Sequence, residues 1–281
     1  MDNLQKYSWW GEENAPPAHL KTTKQLAEMG FKPVRAVGII PTRKYDLYLY
    51  DPSDSTSAIP KKQATPRQLE ALAKARRQQK YSAWYAEWGR HYEAGNEAIE
   101  WARELFQRDN WIILDTETTG LGQAEVVQVG VVDHTGAILL DTLVRPTITI
   151  PQEAVDIHGI TNEMVVDAPT FPEIYPELVR VSTDKEVLIY NAEFDISILK
   201  YCCKLHGLPL LGYSKRSDCV MEWWAQFCGE YDYDRYGGYK LQPLEGDHSA
   251  VGDCQAVFTL LQGMAAADII DLQLAFAGTL Q

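Results

Sequence analysis

Asp115 and Glu117 stand two residues apart where the apolar run Trp111-Ile112-Ile113-Leu114 ends. Residues two apart on a strand share a face. Two carboxylates aimed together repel each other unless a cation lies between them, and oxygen ligands suit a hard divalent ion. A polar strand end leading into a turn, with both acids solvated, is the other reading of the pair. Asp195 falls in the first turn of an expected helix, where an acid is favoured by the helix dipole. A capping role competes there, and Asn191 can cap equally well. His248, five residues before Asp253, enters a last expected helix; a lone histidine is more often structural or surface-exposed. Each of these residues, taken singly, has a structural explanation.

Taken in order, they carry a resemblance. The segments Asp115–Leu121 (DTETTGL), Asn191–Asp195 (NAEFD) and His248–Asp253 (HSAVGD), with Ile157–Thr161 (IHGIT) between the first two, closely resemble the motifs of the DEDDh 3′→5′ exonucleases. That family includes the proofreading epsilon subunit of bacterial replicative polymerases, and the resemblance spans about residues 109–268. It implies a hydrolase with an RNase H-like fold that removes nucleoside 5′-monophosphates from 3′ ends by a two-metal mechanism. Asp115, Glu117 and Asp253 would bind one Mg²⁺, Asp115 and Asp195 a second, with Mn²⁺ as a substitute, and His248 would be the general base. Two such ions stabilise the attacking and leaving oxygens of an in-line displacement, and an imidazole with an ordinary pKa near ~6.5 can accept a proton near neutrality.

By the same resemblance, Thr118, Gly120 and Leu121 would meet the terminal nucleotide, and His158 and Ile160 its base or sugar, although packing explains Ile160 as well. Asn191 and Phe194 are the remaining substrate candidates; core packing is the simpler reading of Phe194. The partner implied is a nucleic acid with a free 3′ end, single-stranded DNA being favoured and RNA the main rival, since that choice rests on pocket contacts with the 2′-OH. A DNA-repair role fits the resemblance. A binding protein on an inactive nuclease fold is disfavoured because all five ligand and base positions are filled. One departure stands out: Lys240-Leu241 reaches His248 in seven residues, where many relatives insert a helix and loop. The preceding Tyr-rich loop suggests that Tyr231, Tyr233, Tyr236 or Tyr239 borders the site and stacks on bases, or that it simply covers the sheet.

The elements that must position these residues read as α/β: an RNase H-like mixed sheet flanked by helices over 109–281, preceded by an N-terminal α+β extension over 1–108. Strands are expected at 111–114, 126–133, 137–145 and 187–190, and helices at 171–181, 193–206, 218–228 and 249–264. In the extension, a helix over 22–29 capped by Thr22 or Thr23 precedes strands at 34–40 and 45–50. Thr65-Pro66-Arg67-Gln68 opens a long helix into the low nineties, and Gly95-Asn96 is expected to break it before a second helix to about 107. Trp84, Trp88 and Tyr92 share a face of that helix, as core or, less simply, as a base-stacking stripe.

Charge is unevenly divided. Residues 1–108 hold 17 Lys and Arg against 13 Asp and Glu, whereas 109–281 hold 9 against 26. An acidic domain repels nucleic acid at long range, so carboxylates clustered inside it have a reason to be there if they hold metal. Most of the 26 are solubilising surface. The basic stretch 61–80 could grip nucleic acid or lie against the acidic domain, and residues 1–108 could equally recruit a protein partner, as a subunit of a larger complex would. Five cysteines without a CxxC pair argue against a disulfide framework or zinc knuckle. No apolar run reaches the ~20 residues of a membrane helix, and the N-terminus lacks a signal-peptide pattern, so a cytoplasmic, membrane-free protein is expected.

Overall fold

A computed structural model of the chain describes residues 4–233 and 238–280. Packing divides the chain into two compact units, Met1–Gln79 and Lys80–Gln281. Residues 80–108, expected with the N-terminal extension, group with the second unit, because the helix over 90–105 buries Ala98, Ala102 and Leu105 in its core.

The first unit is built from short strands. β1 (Gln5–Lys6), β2 (Lys21–Thr22), β4 (Gly38–Ile40) and β5 (Leu47–Tyr50) form a sheet in the order β1-β4-β5-β2, while β3 (Phe31–Pro33) pairs with β6 (Ala58–Pro60). Helix α1 (Thr23–Glu28) starts at a capping box between Thr22 and Gln25. The core is small: Leu20, Ile40 and Leu49, with Tyr7, Val37 and Leu47 against them. Helix α2 (Pro66–Trp84) starts at a second box, in which the Thr65 N–H donates to Gln68 Oε1 (2.9 Å) and the Gln68 N–H to Thr65 Oγ1 (3.3 Å). Both starts are where the cap residues placed them.

The helical run does not break at Gly95-Asn96. It is interrupted earlier, by a π-helical turn over Tyr85–Gly89, and α3 then runs over Arg90–Leu105. Gly95 faces the backbone carbonyl of Gln226, and Asn96 exchanges two hydrogen bonds with the backbone of Ile270 (2.8 and 2.9 Å). These turn-forming types serve close packing here instead of ending the helix. The π turn also splits the aromatic stripe: Trp84 is buried and stacks on Tyr92 at 6.2 Å, while Trp88 is left 53% exposed.

The second unit centres on a five-stranded sheet, order β11-β10-β7-β8-β9, comprising β7 (Trp111–Thr118), β8 (Val126–Asp133), β9 (Ile138–Leu143), β10 (Glu186–Ile189) and β11 (Ser217–Cys219). β10 and β11 run parallel to β7, and β8 and β9 are antiparallel meanders. This is the RNase H-like mixed sheet implied by the motifs. β11 occupies residues expected to begin a helix, because Cys219 pairs with Ile189 at the sheet edge before α7 (Val220–Cys228) starts.

Side-chain alternation along β7 divides its work between two layers. Ile112 and Leu114 pack toward α5 (Phe171–Ser182) and α6 (Ala192–Leu205). Trp111 and Ile113 pack toward α3 and α8 (Ala250–Ala266). By the same alternation Asp115 and Glu117 face α8, and Thr116 faces α6. A third small core under α4 (Gln152–His158) holds Val127, Ile150, Ala154, Ile160 and Val165.

α8 lies unusually close to the sheet at Gly130, which pairs with Asp115 across β7 and β8. A Cβ at Gly130 would lie 2.4–2.6 Å from backbone atoms of Ala250 and Val251. Backbone cannot rotate away as a side chain can, so Gly130→Ala must displace the start of α8. It should cost about 2–3 kcal/mol in urea unfolding. Gly263→Ala in the same helix, exposed and with nothing near its added methyl, should stabilise by roughly 0.5–1 kcal/mol. Equal effects of the two variants would contradict this packing.

Candidate active site

The close approach at Gly130 brings α8 over the end of β7. One carboxylate oxygen from each of Asp115, Glu117 and Asp253 lies within 4.8 Å of the others. Asp195 arrives from α6, on the opposite side of the sheet, and is 3% exposed. Its Oδ1 accepts the Thr116 N–H (3.1 Å) and the Thr116 hydroxyl (2.7 Å). Thr116 thus pins Asp195 behind the strand end, while its two neighbours point to the other face. The structure brings Asp115, Glu117 and Asp253 into one oxygen cluster, with Asp195 held beside it.

These acids raise one another's pKa values. Burial, then the charges of Asp195, Glu117 and Asp253, holds Asp115 well above the ordinary carboxylate range. Burial, then Asp253 and Asp195, pushes Glu117 up to about 7. Asp195 and Asp253 also rise through burial, with the Thr116 bonds and the His248 N–H respectively opposing the shift. No ion pair to any of the four is found among the described residues. Buried oxygen donors that repel one another, with no Lys or Arg ion pair to them among the described residues, fit a hard divalent cation.

The loop entering α8 is shaped around Asp253. The backbone N–H of His248 donates to Asp253 Oδ1 at 3.2 Å, and His248 itself has φ +57°, a left-handed conformation uncommon for residues other than glycine. A Cβ on Gly246 would strike the Asp253 carboxylate, and one on Gly252 would strike Asp247. Ser249 Oγ caps the helix by accepting the Gly252 N–H, and Gln128 Oε1 accepts the Ala250 N–H, tying α8 to β8. The His248 side chain is exposed beside this cluster.

A cleft of about 510 Å³ adjoins the acids. Thr118, Gly120, Leu121, His158 and Phe194, five of the seven expected substrate residues, line it with Glu117, Ile157 and others. Leu121 is 86% exposed at its wall. Ile160 is absent from the lining and 5% exposed in the core beneath α4; its neighbour Ile157 is the exposed one. Asn191 precedes α6 without a side-chain cap bond and is likewise absent from the lining. Phe194 packs partly on the core as well as lining the cleft. His158 Nδ1 accepts the Ile160 N–H (3.0 Å), so its Nε2 carries the proton and donates to the Thr118 carbonyl (3.2 Å). Burial lowers its pKa. With both nitrogens used internally, His158 fastens α4 to the strand end and offers a ligand only its ring.

The Tyr-rich loop goes elsewhere. Tyr239 and Tyr233 hydroxyls meet the two ring nitrogens of His91 at 3.1 Å each, and Tyr231 packs on the same ring at 4.8 Å. None of these three lines the cleft beside the acids; Tyr236 lies outside the described residues. Thr116, Gln128, Gly130, Gly246 and Gly252 are the site-shaping residues that motif reading passed over. A glycine inside a strand was the available signal for Gly130, since it marks close approach of another backbone.

The sheet gathers carboxylates from one strand end and one helix start into a single oxygen cluster. The Exonuclease (RNase_T) family model matches residues 112–261, and the chain belongs to that family. It is 37% identical over 187 residues to the uncharacterized exonuclease CP81 of Escherichia phage 186, covering 60% of this chain and 95% of that protein. It is 36% identical over 114 residues to the DNA polymerase III subunit epsilon of Rickettsia conorii, covering 38% of this chain but only 46% of that one. Among solved structures, exonuclease X in complex with 5′ overhanging duplex DNA aligns with a TM-score of 0.40 at 26% identity, covering 57% of this chain and 95% of that one. Residues before 112 lie outside the family match. No helix among the described residues is long and apolar enough to cross a membrane.

The carboxylate repulsion has a measurable sign. Between Glu117's ordinary 4.5 and its folded value of about 7, the unfolded chain has released a proton that the folded chain keeps. Metal-free stability therefore falls as pH rises through that window and levels off above it, by up to about 3 kcal/mol from this group, less because its partial exposure screens it. In urea unfolding with EDTA, Glu117→Gln should gain on wild type between pH 5 and pH 8, and divalent cation at pH 8 should stabilise wild type far more than the variant. A stability difference independent of both pH and cation would contradict the repulsion.

Proposed function

We propose that the chain is a 3′→5′ exonuclease that hydrolyses the terminal phosphodiester of single-stranded DNA and releases a nucleoside 5′-monophosphate. The observation that carries this reading is the oxygen cluster of Asp115, Glu117 and Asp253 opening beside a cleft of about 510 Å³, within the range of small-ligand pockets, ~300–1,000 Å³. The DNA preference is supported by the similarity to a DNA polymerase III epsilon subunit.

In this reading Asp115, Glu117 and Asp253 would hold one Mg²⁺, and Asp115 and Asp195 a second, with Mn²⁺ able to substitute. When bound, the ions offset negative charge on the scissile phosphate and on the attacking and leaving oxygens. Thr116 keeps Asp195 in place, so that its carboxylate stays near Asp115 without collapsing onto it. The terminal nucleotide occupies the cleft, with the Thr118–Leu121 backbone along one side and Phe194 and the His158 ring bounding it. Leu121, largely exposed, offers an apolar surface to the terminal base. Water attacks phosphorus, the bond to the penultimate 3′-oxygen breaks, that oxygen takes up a proton from solvent to become the new 3′-hydroxyl, and the 5′-phosphate leaves with the terminal nucleotide. The His248 imidazole accepts the proton released by the attacking water. Its backbone bond to Asp253 couples the base to the carboxylate cluster, and its exposure leaves the ring able to turn toward that water.

Asp115→Asn, Asp195→Asn and His248→Ala should each lower divalent-dependent degradation by at least ~100-fold, with circular dichroism unchanged. Oligonucleotides labelled at the 5′ end should give a ladder of shortening products, and 3′-labelled ones should release mononucleotide at once. Immediate release from the 5′ end, or full activity in any of the three variants, would overturn the reading.

A further inference from the structure

We propose that the basic side of helix α2 is a second contact surface for the phosphate backbone of the nucleic acid. The proposal rests on the reading that the substrate is a nucleic acid. Residues 61–80 contain seven Lys and Arg against the single acid Glu70, while residues 81–281 contain 12 Lys and Arg against 31 Asp and Glu. An exonuclease domain of that charge repels a polyanion at long range, so attraction must come from elsewhere in the chain.

Helix α2 has the form such a surface needs. Every residue from Pro66 to Lys80 is exposed, and the helix buries only Trp84. No apolar face explains why this stretch is a helix; the Thr65–Gln68 capping box and a sequence of Ala, Leu, Gln, Lys and Arg do. Lys74, Arg77 and Lys80 follow one another at three-residue spacing, Arg67 lies two turns before Lys74, and Arg76 lies one turn before Lys80. These five occupy one half of the helix circumference. None has an ion pair among the described residues. The array is about 20 Å long and sets five cations against the single acid Glu70 on the same side, whereas a run of lysines placed only for solubility needs neither a preformed helix nor one charged side. Its complement is a polymer of regularly spaced phosphates.

The test uses the full chain in EDTA, which halts hydrolysis, and a fluorescent single-stranded 30-mer DNA followed by anisotropy from 25 to 200 mM KCl. Arg76→Gln/Arg77→Gln/Lys80→Gln keeps helix propensity and removes three charges. The slope of log affinity against log salt should become shallower by about 2, and affinity at 50 mM should fall ~10–100-fold, equally for unrelated sequences. Arg76→Lys/Arg77→Lys should keep the wild-type slope. Hydrolysis of a dinucleotide, whose only phosphodiester is occupied at the active site, should be unchanged in the triple variant. An unaltered slope in that variant overturns the proposal, as does failure of the wild-type chain to bind the 30-mer. Failure of wild type to hydrolyse either DNA with divalent cation overturns the exonuclease reading instead, and the binding result can still be read on its own.

Discussion

The second unit is organised around an unfavourable interaction: several carboxylates forced toward one strand end where water is scarce. Left alone, such acids would turn outward or take up protons, and the upward pKa shifts of Asp115 and Glu117 express that tension. The fold resists the escape from each side. β7 sets the direction of Asp115 and Glu117, Thr116 ties Asp195 back, and the His248 N–H together with the close approach of Gly246 confines Asp253. The result is a set of oxygen donors whose mutual repulsion a bound cation would relieve.

That constraint reaches into the packing of the sheet. Asp253 can approach β7 only because β8 carries no side chain at Gly130, directly across from Asp115. Gln128, on the same strand, accepts the first N–H of α8 and so fixes its start. The adjoining cleft is built in the same manner. His158 commits both ring nitrogens to the backbone of its own helix end and of β7. Glu125, buried nearby, accepts the backbone and hydroxyl of Thr147 and so anchors the loop after Gly120. Polar groups that sequence inspection would assign to substrate are thus partly employed in holding the site open.

The parts of this design legible in the sequence were those governed by local rules. Two-residue spacing at the end of an apolar strand placed Asp115 and Glu117 on one face, and the cap residues placed the starts of α1 and α2. The order of the motifs implied the RNase H-like sheet that joins them. The parts not legible depend on which distant segment arrives at a position. Ile160 and Ile157 are alike in type, and only the core under α4 makes one buried and the other a cleft wall. Gly95-Asn96 has the composition of a helix end yet packs on Gln226 and Ile270 inside a continuous helix. Tyr231, Tyr233 and Tyr239 are drawn away from the acids by His91, more than a hundred residues earlier. Local composition carries no information about such partners.

The central claim is that Asp115, Glu117 and Asp253 form a cation site enclosed by the fold. It is tested most directly by anomalous diffraction from crystals of the full chain grown with Mn²⁺. The account predicts a peak bounded by these three carboxylates, with Asp195 still bonded to Thr116. A map with no peak there, and the three side chains turned apart toward solvent, would contradict it.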